Sequence, residues 1–150
     1  MSESTFEIRL KRIEDTEAIK KLTATYAIYV NKGWNGKEVD FEKLPLVFAD
    51  DARWTSLAMK TDTTGCKEII EMLKISTAGI DFAMHSFTNP IIDIDGDIAS
   101  ATWLLWVAIK SGEVSNEVFQ SEDITYTRTN SGWKIQTIDL HFGTMLNAPC

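Results

Sequence analysis

The sequence predicts an α+β fold in which helices cover one face of a curved, mostly antiparallel sheet. Helical spacing of apolar residues dominates up to Gly79, and strand-like alternation dominates after it. Asp95 and Gly96 stand between two apolar runs, which is a strong signal for a β-hairpin. The chain has 150 residues and shows no repeat, low-complexity segment or linker. We therefore expect a single domain over residues 1–150, with residues 1–8 as a loose N-terminal arm.

Three helices are expected in the first half of the chain. Residues 14–31 form the first, because their apolar side chains recur at three- and four-residue spacings. The segment DFEKLPLVFADDA, residues 40–52, is typical of a short second helix. A third helix is expected in GCKEIIEMLKIS, residues 65–76, with Thr64 as its N-terminal cap and Gly79 at its end.

Strands are expected in the other segments of the chain. Residues 52–59, ARWTSLAM, have the composition of a strand. Residues 91–103 contain the hairpin signal described above. Residues 124–138, ITYTRTNSGWKIQTI, predict a second hairpin that turns at Asn130-Ser131-Gly132.

The first hairpin fixes the expected position of His85, one of two histidines in the chain. If Asp95-Gly96 is the turn, residues 94 and 97 pair, and counting back places His85 opposite Trp106. Period-two spacing then puts Asn89 on the same face as His85. A single bulge would change this register.

Composition excludes several classes of partner. Acidic residues outnumber basic ones by 22 to 15, giving a formal charge of −7, so nucleic acid and anionic membrane surfaces are not expected as partners. Since the sequence shows no signal peptide and no apolar run of membrane-spanning length, a cytoplasmic location is expected. The two cysteines, Cys66 and Cys150, are far apart, and no disulfide is expected between them.

His85 is the main candidate for chemistry, because it stands among aromatic and apolar residues in FAMHSFTNP. Taken alone, this pattern fits either a general base in a pocket or a histidine packed into a core. The candidate inward positions include Trp54, Trp103 and Trp106, which favours a lined cavity over an aliphatic core.

The sequence resembles the SnoaL-like family of the nuclear-transport-factor-2-like, cystatin-like superfamily. The resemblance rests on the phrase LPLVFADDARW after the first helix, a short helix after TGCKE, and His85 opening the next strand. It implies a cone made of a curved sheet and three helices around one deep pocket. Members of this superfamily include scytalone dehydratase, a bile-acid dehydratase, lindane dehydrochlorinase and ketosteroid isomerase, so chemistry on a small ring compound is implied without any cofactor or metal.

The resemblance also implies a set of site residues. Tyr26 and His85 match the tyrosine and histidine of the dehydratases, whereas Asn31 stands where those proteins have an aspartate. An asparagine can accept a hydrogen bond from imidazole but carries no charge to stabilise the imidazolium. Asp123 or Asp139 could supply a carboxylate from elsewhere in the fold. Four further residues are expected to contact substrate: Trp54, Ser56, Asn89 and Trp106.

Two kinds of function are therefore expected. In the first, the protein is a cofactor-free lyase or isomerase in which His85 removes a proton, Tyr26 polarises an oxygen and Asn31 orients His85 or the substrate. In the second, the pocket binds a ligand without turnover, or the fold is a dimerisation module that pairs through the outer face of its sheet. An outward Trp103 would suit such an interface, and a homodimer or other small homo-oligomer is expected.

Overall fold

The computed structural model describes residues 4–148. It contains two α-helices, one 3₁₀ helix and six strands: α1 (Thr5–Val30), the 3₁₀ helix (Phe41–Leu46), β1 (Phe48–Ser56), β2 (Thr61–Thr64), α2 (Cys66–Thr77), β3 (Phe82–Asp95), β4 (Ile98–Ser111), β5 (Val114–Thr129) and β6 (Gly132–Ala148).

All six strands form one sheet in the order β2-β1-β6-β5-β4-β3. Neighbouring strands are antiparallel except β1 and β6, which are parallel. The side chains of β4 alternate regularly between buried and exposed, so one face of the sheet meets the helices and the other faces outward. The predicted α+β cone, with helices on one side of a curved sheet, is confirmed.

Helix α1 begins earlier than the apolar periodicity indicated. Residues 5–8, predicted as part of a loose arm, form its first turns. Ser4 caps the helix: its side-chain oxygen accepts the backbone N–H of Glu7 at 3.2 Å, and the Glu7 carboxylate accepts the backbone N–H of Ser4 at 2.7 Å. This reciprocal pair satisfies two donors that the helix leaves free, which stabilises a first turn that has almost no buried surface.

The second predicted helix is shorter than expected, and the third begins one residue later. The second is a 3₁₀ helix that contains Pro45 and ends at Leu46, and residues 48–52 belong to β1 instead. Those residues are strand because Phe48 pairs with Ile135 of β6, a contact between distant segments that local periodicity does not reveal. Thr64, expected to cap the third helix, is the last residue of β2.

The register of the β3–β4 hairpin differs from the predicted count. Asp95 pairs with Ile98, so the turn consists of residues 96 and 97. This turn alone would move the partner of His85 two residues along β4, and a bulge between Thr88 and Ile91 moves it back by one. His85 therefore lies opposite Val107, and the predicted pairing with Trp106 is wrong.

The two tryptophans of β4 face opposite sides of the sheet. Trp103, for which the sequence left an inward and an outward position open, is buried, and its indole N–H donates to the Tyr126 hydroxyl at 3.0 Å. That hydroxyl lies 2.7 Å from the Thr23 hydroxyl of α1, so the inward tryptophan helps to join sheet and helix. Trp106 is on the outer face, where its ring stacks on Phe119 at a centroid distance of 6.4 Å.

An ion pair fixes the first half of α1 to the sheet. Arg128 of β5 donates to both carboxylate oxygens of Asp15, at 2.9 and 2.8 Å, and the Trp133 indole N–H donates to the same carboxylate at 3.1 Å. The guanidinium also lies over the Trp133 ring, 4.4 Å from its centroid. These hydrogen bonds, above all those from Arg128, lower the pKa of Asp15 to about 2.

Candidate functional site

A cavity of about 450 Å³ lies between the helices and the inner face of the sheet. Its walls come from both helices and from five strands, and most of them are apolar side chains such as Leu73, Leu105 and Val107. A cavity of this size and lining suits a small, largely apolar ligand. Two shallower surface depressions, one along α1 and one beside the 3₁₀ helix, contain none of the predicted site residues.

Asn31 and His85 are brought together at the edge of this cavity. Asn31 directly follows α1 and is buried, and its side-chain oxygen accepts the backbone N–H of His85 at 2.8 Å. The same oxygen lies 2.9 Å from Nδ1 of the His85 ring. Because a backbone N–H can only donate, the amide atom that faces both groups is the oxygen.

This geometry decides the tautomer of His85. Since the Asn31 oxygen can only accept, Nδ1 has to carry the proton that it shares with that oxygen. Nε2 then holds a lone pair, and within residues 4–148 it has no hydrogen-bond partner. His85 lines the cavity, so this lone pair is available to a ligand there.

Burial lowers the pKa of His85 to about 4, because the imidazolium is poorly solvated in this position. The ring is therefore neutral near pH 7. Neither Asp123 nor Asp139 supports it, contrary to the alternative drawn from the sequence. Both lie on the outer face, 3.0 and 3.6 Å from Nε2 of His141.

The carboxyl group inside the cavity belongs to Glu122 of β5, which the sequence analysis missed. Glu122 is only 3% exposed, and its Oε2 has no hydrogen-bond partner among the described residues. Burial raises the pKa of Glu122 to about 8, so the carboxyl is largely protonated at neutral pH. The signal was present: Glu122 is in period-two phase with Ile124 and Tyr126, both fully buried.

Tyr26 and Trp54 also line the cavity, in agreement with the family resemblance for Tyr26 and with strand alternation for Trp54. Both are buried, and the Tyr26 ring packs edge-on against Phe48 at 5.4 Å. The pKa of Tyr26 is raised, mainly by burial and to a smaller extent by the charge of Glu122, so the Tyr26 hydroxyl stays neutral. The indole N–H of Trp54 lies close enough to lower that pKa slightly, but the two groups do not reach hydrogen-bonding geometry.

The remaining predicted contacts are divided between the cavity and the surface. Ser56 lines the cavity, and its hydroxyl accepts the backbone N–H of Met59 at 3.3 Å. Asn89 is exposed in the bulge of β3, with φ of 50°, and does not line the cavity. Trp106 lies on the outer face, so neither Asn89 nor Trp106 lies in the cavity, in both cases because of the shifted register of β3.

The described residues contain no group of three or more His, Cys, Asp or Glu side chains that could hold a metal ion. The two histidines are on opposite faces of the sheet, His85 in the cavity and His141 outside. Cys66 is a buried free thiol, and Cys150 lies outside the described residues. Over the described part of the chain, no helix is long and apolar enough to span a bilayer; a cytoplasmic location stays a prediction.

Residues 11–139 match the model of the SnoaL-like domain family. The chain belongs to the SnoaL-like family. Among curated proteins, no sequence matches this SnoaL-like chain significantly.

Solved structures with the same fold resemble this SnoaL-like protein over nearly its whole length. A LinA-type3 hexachlorocyclohexane dehydrochlorinase from Novosphingobium barchaimii LL02 has a TM-score of 0.80 at 17% identity, over 93% of this chain and 94% of that one. A scytalone dehydratase candidate from Novosphingobium aromaticivorans DSM 12444 has a TM-score of 0.78 at 15% identity, over 93% of this chain and 91% of that one. An NTF2-like protein with a cystatin-like fold from Novosphingobium aromaticivorans has a TM-score of 0.76 at 20% identity, over 95% of this chain and 91% of that one. At these identities the likeness establishes the NTF2-like fold alone, and it confirms the family resemblance.

Proposed function

We propose that this SnoaL-like protein is a cofactor-free lyase or isomerase that acts on a small, largely apolar ring compound, with His85 as its general base. The observation that carries the proposal is the pair of hydrogen bonds to the Asn31 oxygen, which leaves Nε2 of His85 unprotonated at the cavity. The solved structures of a dehydrochlorinase and of a scytalone dehydratase candidate on the same fold support this class of reaction.

In the proposed reaction, Nε2 removes a proton from a substrate carbon next to a carbonyl or a leaving group. Asn31 holds the ring in the reactive tautomer, and the neutral hydroxyl of Tyr26 polarises a substrate oxygen. His85 has a pKa of about 4, so the ring stays in its basic form throughout the neutral range. A base of this strength suits a substrate in which the neighbouring oxygen already makes the C–H group acidic.

Replacing Asn31 with aspartate is expected to raise the pKa of His85 by about 2 units, because a carboxylate would stabilise the imidazolium directly. Two-dimensional ¹⁵N NMR titration of the ring nitrogens measures this change, and in the wild type it should also show the Nδ1–H tautomer. His141 is an internal control, since it lies on the other face of the sheet and should keep its pKa. An unchanged His85 pKa in this variant would show that residues 31 and 85 are not in contact.

Proton abstraction itself can be measured with a simple ring ketone. We expect the wild type to speed deuterium exchange of the C2 hydrogens of 1-tetralone in D₂O, monitored by ¹H NMR. His85→Gln should lose this activity by at least about a hundredfold, the usual contribution of a general base. A wild-type rate equal to the buffer rate would contradict catalysis of this kind by His85.

A second candidate function is ligand binding without turnover, which the uncharged Asn31 favours because it cannot stabilise an imidazolium. In that case 1-tetralone would raise the melting temperature of the protein while its C2 hydrogens exchanged no faster than in buffer. The two measurements together separate an enzyme from a binding protein.

We further propose that the outer face of the sheet forms a homodimer interface. Leu104, Trp106 and Phe119 are exposed there as neighbours on β4 and β5, and a cluster of large apolar side chains is uncommon on a monomer surface. Trp106 takes the outward position that the sequence left open for Trp103. Trp106→Glu should convert a dimer to a monomer in sedimentation equilibrium, whereas Ala24→Glu, on the exposed side of α1, should not. A monomeric wild type would contradict the proposal.

A further inference from the structure

We propose that Glu122, Tyr26 and Trp54 form an oxygen-binding subsite for a ketone carbonyl of the substrate, and that Glu122 donates a proton to that carbonyl while His85 acts as the base. This inference rests on the proposed function, which it deepens by naming the substrate group and a second proton-transfer residue.

The first argument is the state of the polar atoms in the cavity. Within residues 4–148, three buried side-chain polar atoms lack a hydrogen-bond partner: Trp54 Nε1, Glu122 Oε2 and Asn116 Oδ1. Two of these belong to residues that line the cavity, one as a donor and the other in a carboxyl group. Burying such a group without a partner costs about 1–3 kcal/mol, so polar side chains at this depth normally have one. A ligand oxygen in the cavity would supply it.

The second argument is that these groups converge from separate elements. Tyr26 comes from α1, Trp54 from β1 and Glu122 from β5. Glu122 is close enough for its charge to act on Tyr26, and the Trp54 indole lies beside the Tyr26 hydroxyl without hydrogen-bonding geometry. Three polar side chains from separate elements therefore lie close to one another in a largely apolar cavity.

The third argument concerns which ligand group fits this region. An indole N–H can only donate, and a neutral tyrosine hydroxyl and a protonated carboxyl can donate as well. The charge of Glu122 acts on Tyr26 and Tyr126, and His85 lines the same cavity. No lysine or arginine of the described chain lines the cavity to ionise the carboxyl. The complement of converging donors is an oxygen that only accepts hydrogen bonds. A ketone carbonyl meets this requirement, whereas a hydroxyl or an ammonium group does so less well.

The proposed step balances without a further reactant. Nε2 of His85 takes a proton from the carbon next to the carbonyl, and the C–H electron pair becomes the C=C bond of an enol. The carbonyl π pair takes the proton of Glu122, leaving a carboxylate and an imidazolium. Return of a proton from His85 to the same or another carbon, and of the enol proton to Glu122, completes an exchange or an isomerisation and restores both residues.

The ionisation of the two residues suits these tasks. In water a histidine is a stronger base than a glutamate, but burial reverses the order here, with His85 at a pKa of about 4 and Glu122 at about 8. Between these values His85 is mainly neutral and Glu122 mainly protonated, as a base and an acid need to be.

The test compares 1-tetralone with tetralin, which has the same ring system without the carbonyl oxygen. Binding is measured by calorimetry, and C2 deuterium exchange of the ketone by NMR, in the wild type, Glu122→Gln and Glu122→Leu. We expect the wild type to bind the ketone about tenfold more tightly than the hydrocarbon. Glutamine keeps an N–H donor, so the preference should persist, but exchange should fall about a hundredfold because an amide cannot transfer the proton. Glu122→Leu should lose both the preference for the ketone and the deuterium exchange.

The outcomes separate this inference from the proposed function. Equal binding of ketone and hydrocarbon by the wild type, or an unchanged exchange rate in Glu122→Gln, would overturn the inference even if His85→Gln abolished exchange. A clear ketone preference with no exchange in the wild type would instead refute catalysis, and with it proton donation by Glu122, but would support the carbonyl subsite. If Glu122→Leu does not fold, the isosteric glutamine variant still decides the proton transfer.

Discussion

Replacing Glu122 with glutamine is expected to raise the free energy of unfolding at pH 9 by about 4 kcal/mol. Burial raises the pKa of this carboxyl from 4.5 to about 8 in the folded protein. A shift of that size makes the ionised form costly inside the cavity, whereas a neutral amide of the same shape does not ionise.

The sign of the pH dependence follows from the same shift. Between about pH 4.5 and pH 8 the folded protein holds a proton on Glu122 that the unfolded chain has released. The contribution of Glu122 to the free energy of unfolding is therefore highest below pH 4.5, falls as the pH rises from 4.5 to about 8, and is constant above pH 8. In Glu122→Gln this decline should be absent, and the two proteins should be similar in stability near pH 4.5.

Urea unfolding at several pH values, followed by tryptophan fluorescence, measures this difference. Glu117→Gln is the matched control, because it makes the same substitution on the same strand at a residue that does not line the cavity. We expect the control to keep the pH dependence of the wild type. Parallel curves for Glu122→Gln and Glu117→Gln would show that Glu122 is not buried in the ligand-free protein.

Replacing Arg128 with methionine is expected to lower the free energy of unfolding at pH 7 by about 3 kcal/mol, since it removes the main charged partner of the buried Asp15 carboxylate and leaves only Lys11, at 3.4 Å. The guanidinium makes two hydrogen bonds to Asp15 and packs over Trp133, and methionine replaces only the packing. Asp97→Asn is the control: Asp97 is an exposed partner of the same guanidinium, so its loss should cost less than about 1 kcal/mol.

Acidic pH should also change the difference in stability between the wild type and Arg128→Met. The pKa of Asp15 is lowered to about 2, mainly by hydrogen bonds from Arg128, so its contribution to stability is complete above about pH 4 and is lost as the pH falls toward 2. Without Arg128, burial would raise that pKa, and protonation would then favour the folded state. The gap between wild type and Arg128→Met should therefore narrow from pH 7 to pH 3, and a constant gap would contradict the assigned contacts.

The sequence was informative where the pattern is local or belongs to the family. The α+β class followed from the change in periodicity after Gly79, and the placement of Asn31 beside His85 was implied by the resemblance. Glu122 could have been found from its phase with Ile124 and Tyr126, but a carboxyl in that phase was not considered.

The register of β3 could not be read in the same way. The bulge after Thr88 contains Asn89, with φ of 50°, and Pro90, which cannot donate to the ladder, but these two residues do not by themselves fix where the register shifts. One extra residue in the bulge moves the side chains between it and the start of β3 to the other face. The orientation of Trp103 and Trp106, and the position of Asn89, all depended on it. The first part of β1, residues 48–51, was likewise hidden, since the pairing of β1 with β6 joins residues more than 80 positions apart.

The single oxygen of Asn31 that accepts two hydrogen bonds also makes His85 a reporter of local opening. The oxygen joins the end of α1 to β3, beside a pair of backbone hydrogen bonds between Lys32 and Ala83. While this junction is closed, the proton stays on Nδ1; once it opens, the ring is free to exchange between its two tautomers in water. The ¹⁵N shifts of one side chain, followed in mild denaturant, would therefore show whether helix and strand separate before the whole chain unfolds.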